Sequence, residues 1–187
     1  MCKIVYLTSK RFCRPAKEFR KALADELRKR NVQVVENYSY DILNWLRKHK
    51  TYGIALAFDF YQDAESGCGL TLNKGCSNIG RDFAYNLSNG IDEITPEIIW
   101  RDIKFVSSDD KEWFKFFNKV SSTTKAIFYL CTINNAVDYD VYETAKYDMV
   151  KVFADEIIRC LRSNYNLVNY RRSVKAAKIK KNINKEK

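Results

Sequence analysis

Five carboxylates stand at the ends of the two most apolar runs of the sequence, residues 52–60 and 125–133. They are Asp59, Asp63 and Glu65 in the first group and Asp138 and Asp140 in the second. Two facing carboxylic groups can act as general acid and general base. The same residue types, together with Asn134 and Asn135, also suit a turn that leads from a strand into a helix. We favour the turn and leave acid–base chemistry as the alternative.

The single histidine of the chain, His49, restricts metal and nucleophile chemistry. A catalytic zinc site commonly has three His, Glu, Asp or Cys ligands and an open position for water. His49 belongs to the charged run RKHK at 47–50, which is typical of a solvated helix end. A Ser–His or Cys–His nucleophile would need this same histidine. The first strand is followed by neither of the glycine-rich nucleotide-binding motifs G-x-x-x-x-G-K-[ST] and G-x-G-x-x-G. We therefore expect no metal and no cofactor.

Composition indicates a folded, globular protein of 187 residues, with 46% hydrophobic residues and two prolines. No window approaches the ~20 uncharged apolar residues that a membrane-spanning helix needs. The N-terminal run MCKIVYLTSK has none of the regions of a signal peptide. We therefore expect a cytoplasmic protein whose six cysteines stay reduced.

Positive charge is concentrated at the C-terminus. Residues 171–187 contain eight lysines and arginines and one glutamate, which leaves only +3 of the net charge of +10 to the preceding residues. This pattern predicts a basic tail over 166–187 that follows a domain over 1–165. The tail can neutralise phosphates of nucleic acid or an anionic surface, or it simply extends the last helix. Its candidate anion-binding residues are Arg171, Arg172, Lys175, Lys178, Lys180 and Lys181.

Strand-like and helix-like segments alternate along the chain. Strands are predicted at 3–7, 32–35, 52–60, 66–72, 102–106 and 125–133, and helices at 14–30, 39–50, 77–91, 108–120 and 141–162. Alternation with short apolar strands predicts an α/β fold, a single three-layer domain with a mostly parallel central sheet flanked by helices. Ligands of such sheets bind beyond the carboxyl ends of the strands, here in loops 8–14, 59–68 and 131–140.

The order of these segments over residues 3–162 resembles that of the zinc-dependent N-acetylmuramoyl-L-alanine amidases, which hydrolyse cell-wall peptidoglycan. The most specific piece is AIFYLCTINNAVDYDVYETAKYDMVKVFADEIIRCL at 126–161. It is similar to the family's final strand, Asn-x-x-Asp turn and closing helix, with Asn135 and Asp138 in the turn. The resemblance implies an amidase-like fold and a phage or Gram-positive bacterial source.

The family's zinc ligands and catalytic glutamate correspond to other residue types in this chain. In chain order the matching positions are residues 8–13, Cys13 or the nearby Glu18, Phe58 or Asp59, and Tyr129 or Leu130. Without two imidazoles a zinc ion loses its usual ligands, and without the glutamate a bound water loses its base. The resemblance therefore implies a degenerate member of the family.

Three functions follow from these observations. The first is a non-catalytic binding or regulatory domain that holds a muropeptide or a protein partner in the cleft of residues 59–68 and 131–139. For this function, a combined Asp59→Ala and Asp138→Ala change is expected to weaken binding without unfolding. The second is binding of nucleic acid or an anionic surface through the tail. The third is an amidase with unusual ligands, such as Cys13, Glu18 and Asp59.

Overall fold

A computed structural model of the chain describes residues 4–36, 53–63, 65–106, 116, 120, 122 and 124–183, with side chains as far as residue 163. Six strands form one sheet in this part of the chain. They are β1 (Ile4–Ser9), β2 (Gln33–Glu36), β3 (Ile54–Tyr61), β4 (Cys68–Asn73), β5 (Trp100–Val106) and β6 (Thr124–Thr132). The helices are α1 (Arg14–Lys29), α2 (Asn78–Ile94) and α3 (Ala136–Ile183).

The sheet has the strand order β2-β1-β3-β6-β4-β5. Strands β2, β1, β3 and β6 are mutually parallel, and β4 pairs antiparallel with β6 and parallel with β5. The predicted α/β class with a mostly parallel sheet flanked by helices is therefore confirmed. The loop after β3 passes the carboxyl end of β6, so β4 begins at the edge of the sheet where β3 and β6 end. For this reason β4 runs antiparallel to β6.

Helix boundaries follow the local sequence. Pro15 lies in the first turn of α1, where its missing N–H costs no hydrogen bond. Asn31 adopts a positive φ of 59° just after the same helix, as its residue type allows. The Ser77 hydroxyl accepts a hydrogen bond from the N–H of Gly80 and so caps α2.

The closing helix differs from its prediction at both ends. Helix α3 begins at Ala136, five residues before the predicted start, because Asn135 caps it and residues 136–138 already belong to its first turn. It then continues without a break to Ile183, through the predicted boundary at residue 165. The backbone of the basic segment is thus a continuation of α3 as far as that residue.

Helices α1, α2 and α3 pack on one face of the sheet, around a cluster of aromatic rings. Phe128 and Phe153 meet edge to face with ring centroids 4.8 Å apart, and Phe19 lies 5.2 Å from Phe58. Strand β3 explains the arrangement, since its alternate residues Ile54, Leu56, Phe58 and Phe60 all enter this core. The opposite face carries a smaller apolar cluster that includes Phe116 and Val120.

Several predicted segments lie outside the described residues. These are the helix at 39–50 with His49 and most of the helix at 108–120, of which Phe116 is helical. Within the described part of the chain, no helix combines the length and the apolar character that crossing a membrane requires.

Candidate binding site at the carboxyl edge of the sheet

The carboxyl ends of β1, β3 and β6 lie side by side at one edge of the sheet, because the three strands are adjacent and parallel. The connection that follows β1 leads to β2, which lies on one side of β1. The connection that follows β2 leads to β3, which lies on the other side of β1. A crevice forms outside the sheet where successive connections diverge in this way, and ligands of open α/β sheets bind there. The sequence placed its candidate loops at this edge.

An ion pair lies at the ends of β1 and β3. Nζ of Lys10 is 3.1 Å from Oδ2 of Asp59, whose side chain is 1% exposed, whereas the Lys10 side chain is 37% exposed. The Lys10 N–H donates to the Phe58 carbonyl at 3.0 Å and extends the pairing of the strands. The other carboxylate oxygen of Asp59 accepts from the N–H of Phe60 at 2.8 Å. The pair thus has a buried negative end and a positive end that solvent reaches.

Strand register decides which candidate residues share a face. Phe58 and Leu130 enter the core beneath the helices. Asp59 follows Ala55 and Ala57, which belong to the opposite face, and it pairs across β3 and β6 with Tyr129. Asp59 and Tyr129, rather than Phe58 and Leu130, therefore lie on one face at this edge of the sheet.

A stack of three flat groups continues this face away from the ion pair. The rings of Tyr61 and Tyr129 are nearly parallel, 7° apart, with centroids separated by 4.3 Å. The Arg101 guanidinium lies over the Tyr61 ring, with its carbon 3.9 Å from the centroid. Burial raises the pKa of Tyr61 to about 12, so the phenol stays protonated at neutral pH. The stack needs Gly69, where a Cβ would come within 2.5 Å of the Tyr61 hydroxyl.

Arg101 also holds the loop of residues 62–67, of which residue 64 is not described. Its two terminal nitrogens donate to the two Asp63 carboxylate oxygens at 2.8 and 2.6 Å. It further donates to the carbonyls of Ser66 and Glu65 and, at 2.9 Å, to the Thr132 hydroxyl. Hydrogen bonding from Arg101 lowers the pKa of Asp63. One side chain thereby joins the ends of β3 and β6 to the start of β5.

Asp138 fixes the same loop from the other side. Its carboxylate is 1% exposed and accepts hydrogen bonds from the Ser66 hydroxyl at 2.5 Å and the Gly67 N–H at 2.7 Å. The Thr132 N–H approaches at 3.4 Å. Asn135 caps the helix, since its side-chain oxygen accepts from the N–H of Asp138 at 3.2 Å. The contacts of Asn135 and Asp138 are thus those of a capping turn.

The residues of the unusual-ligand hypothesis have separate surroundings. Cys13 is half-buried at the start of α1, and burial raises the pKa of its thiol. The charge of Asp59 raises this pKa further, whereas the charge of Lys10 lowers it. Glu18 instead accepts a hydrogen bond from Arg14 at 2.8 Å on the exposed side of α1. Among the described residues, His, Cys, Asp and Glu form no group of three that could hold a metal ion.

Sequence reasoning missed Lys10, Tyr61 and Arg101 as parts of this edge. Lys10 lies inside the loop that the resemblance marked, but a lone lysine in TSKRFC matches no motif. Tyr61 and Arg101 are far apart in the chain, and their contact depends on β5 starting at the edge where β3 ends. The only available signal was the position of each residue at the end or start of a predicted strand.

Comparison with known proteins supports the fold. No protein-family model matches the sequence, and a search of curated proteins finds no match. Solved structures do match. N-acetylmuramoyl-L-alanine amidase from Clostridium difficile 630 is 13% identical, with 87% of this chain and 98% of that chain covered and a TM-score of 0.66.

Two further solved structures match over a similar extent. AmiC2 of Nostoc punctiforme, an N-acetylmuramoyl-L-alanine amidase, is 12% identical, covering 86% of this chain and 97% of that chain with a TM-score of 0.61. The catalytic domain of an endolysin that targets Clostridium difficile is 14% identical, covering 85% and 98% respectively, also with a TM-score of 0.61. At these identities the comparison establishes an amidase-like fold.

Proposed function

We propose that this chain is a non-catalytic binding domain of amidase-like fold, whose crevice holds a carboxylate-bearing ligand of the N-acetylmuramoyl-L-alanine class. The observation that carries the proposal is the Lys10–Asp59 ion pair at the end of β1 and β3. The ligand class comes from the names of the similar structures, which act on that linkage. The residues of this chain at the site disfavour metal-dependent hydrolysis and favour binding of a carboxylate, for the following reasons.

The fold family implies a zinc ion at this edge, and the residues present do not fit one. A lysine ammonium offers donors only and cannot ligate a metal. Here the ammonium of Lys10 contacts the carboxylate of Asp59, and its positive charge would repel a dication. Across the strands, the phenol of Tyr129 stacks on Tyr61 where the resemblance expects a glutamate. No hydrolytic step through a metal is therefore derived for this site.

Recognition of a carboxylate follows from the asymmetry of the ion pair. Asp59 is buried and fixes the position of the ammonium, while over a third of the Lys10 side chain is exposed. A positioned, partly exposed cation attracts an anionic ligand and costs little reorganisation when the ligand binds. N-acetylmuramoyl-L-alanine ends in such a carboxylate. Phe12, which is 89% exposed two residues beyond Lys10, is available for an apolar contact.

The experiment compares two probes that differ only at the carboxylate, N-acetylmuramoyl-L-alanine and its alaninamide. Isothermal titration calorimetry of the unaltered chain is expected to show tighter binding of the acid. A charged hydrogen bond contributes about 1.5–3 kcal/mol, which corresponds to a preference of about 10- to 100-fold. The combined change Lys10→Gln and Asp59→Asn removes both charges and leaves no buried carboxylate unpaired. In that variant the preference is expected to disappear.

Lys21→Gln is the matched control, because Lys21 is an exposed lysine on α1 away from the pair. It should retain the preference for the acid. Equal binding of both probes by the unaltered chain would refute the role of Lys10. Release of free L-alanine from the acid probe would refute the non-catalytic assignment.

A further inference from the structure

Helix α3 divides into two parts of opposite charge. Residues 136–156 contain six aspartates and glutamates against two lysines, whereas residues 157–183 contain eight lysines and arginines and no carboxylate. Close to this change, Ile157, Cys160 and Leu161 are buried in the core. The acidic part packs in the core, and the basic part follows it along the same continuous helix. We call residues 163–183 the basic extension.

We infer that the basic extension binds the phosphate backbone of double-stranded DNA. Its cations are dense, because Arg171–Lys181 contains six of them in a segment that rises about 15 Å at 1.5 Å per residue. Duplex DNA carries a charge about every 1.7 Å along its axis, or about nine phosphates over that length. The number of cations per unit length of this helix is therefore comparable to the number of phosphates per unit length of DNA.

Charge spacing along the helix supports a continuous contact. Arg171, Lys175 and Lys178 follow one another at intervals of four and three residues, which recur on one side of a helix. Because α3 is unbroken from the domain to Ile183, these positions are already ordered along one axis. Less ordering entropy is then lost on binding than for a disordered tail.

Composition favours DNA over a lipid surface. Helices that lie in a membrane interface carry Trp, Phe and Leu on an apolar face. The basic extension contains neither Trp nor Phe and has a single leucine, Leu167. Apolar insertion is therefore weak, and the contact with phosphates is predominantly electrostatic.

Fluorescence anisotropy of a labelled 30-base-pair duplex of mixed sequence, with the full chain, tests the inference. If five or six cations contact phosphates, log Kd should change with log salt with a slope of magnitude about 5, since each contact contributes about 0.9. Affinity then falls about 10³-fold between about 50 and 200 mM salt. The combined Arg171→Gln, Arg172→Gln, Lys175→Gln and Lys178→Gln variant should reduce the magnitude of the slope to about 1–2.

A second variant removes an equal number of positive charges, four, from exposed positions elsewhere in the chain. Its changes are Lys17→Gln, Lys21→Gln, Lys74→Gln and Lys104→Gln, all at exposed positions. Glutamine is a good helix former, so circular dichroism should show equal helix content in both variants. The domain variant should keep the steep slope of the unaltered chain.

Three results would overturn the inference. One is equal loss of affinity in the two variants, which would mean that only net charge matters. Another is the absence of duplex binding at about 50 mM salt. The third is binding to vesicles of phosphatidylglycerol and phosphatidylcholine without binding to the duplex, which would assign the extension to a lipid surface.

Discussion

Replacement of Asp138 by alanine should be among the most destabilising single changes at the carboxyl edge. The carboxylate is buried, and it accepts from the Ser66 hydroxyl and the Gly67 N–H at 2.5 and 2.7 Å. Both donors belong to the loop that crosses the end of β6. Alanine would leave the Gly67 N–H without this acceptor and would separate the loop from the first turn of α3.

The magnitude follows from these contacts. Each hydrogen bond to a charged group contributes about 1.5–3 kcal/mol, so two bonds amount to about 3–6 kcal/mol. This is a large part of the 5–15 kcal/mol by which domains are commonly stable. For a domain of this size it corresponds to a fall in Tm of about 10 °C. Asp138→Asn keeps one acceptor oxygen and most of the volume, and should cost about 1–2 kcal/mol.

Urea unfolding followed by circular dichroism measures these changes in the free energy of unfolding. Asp140→Ala is the matched control, because Asp140 is exposed two residues further along the same helix. It should cost no more than about 0.5 kcal/mol. If Asp138→Ala were as mild as this control, the buried carboxylate would not hold the loop, and the account of the edge would be wrong.

Two other substitutions test the remaining contacts. Arg101 lowers the pKa of Asp63. Their interaction therefore stabilises the fold fully when the pH is above the ordinary carboxyl pKa of about 4. This stabilisation is lost as the pH falls through the lowered pKa of Asp63. Arg101→Gln should therefore make unfolding free energy less dependent on pH below about 4, and an unchanged dependence would contradict this. Gly69→Ala should cost about 1–3 kcal/mol and alter the near-UV circular dichroism of Tyr61. Gly75→Ala, whose Cβ would meet nothing closer than 3.8 Å, should do neither.

Much of the fold could be predicted because the apolar runs and helical spacings of the sequence coincide with strands and helices of the structure. Apolar runs at 52–60 and 125–133 became adjacent parallel strands, since buried strands need such runs. The direction of β4 could not be predicted, because antiparallel entry depends on the path of a loop. The start of α3 was misplaced because Asn135 and Asp138 were assigned to a turn before the helix. In the structure they form its cap and first turn.

The candidate site was predictable in location but not in composition. Strand ends identify an edge from sequence, whereas the Lys10–Asp59 contact joins residues on different strands and needs the strand order. The contacts of Asp138 also change the choice of experiment. Because this residue hydrogen-bonds within the chain, its replacement affects stability before binding, so the binding test uses Lys10 and Asp59.

The central claim is that the Lys10–Asp59 ion pair takes the place of a metal ion at the carboxyl edge of the sheet. Elemental analysis of zinc in the full chain, purified natively without added metal or chelator, tests this most directly. The account predicts no zinc above that of a buffer blank carried through the same purification. About one zinc per chain would contradict it and would direct attention to ligation by Cys13, Glu18 and Asp59.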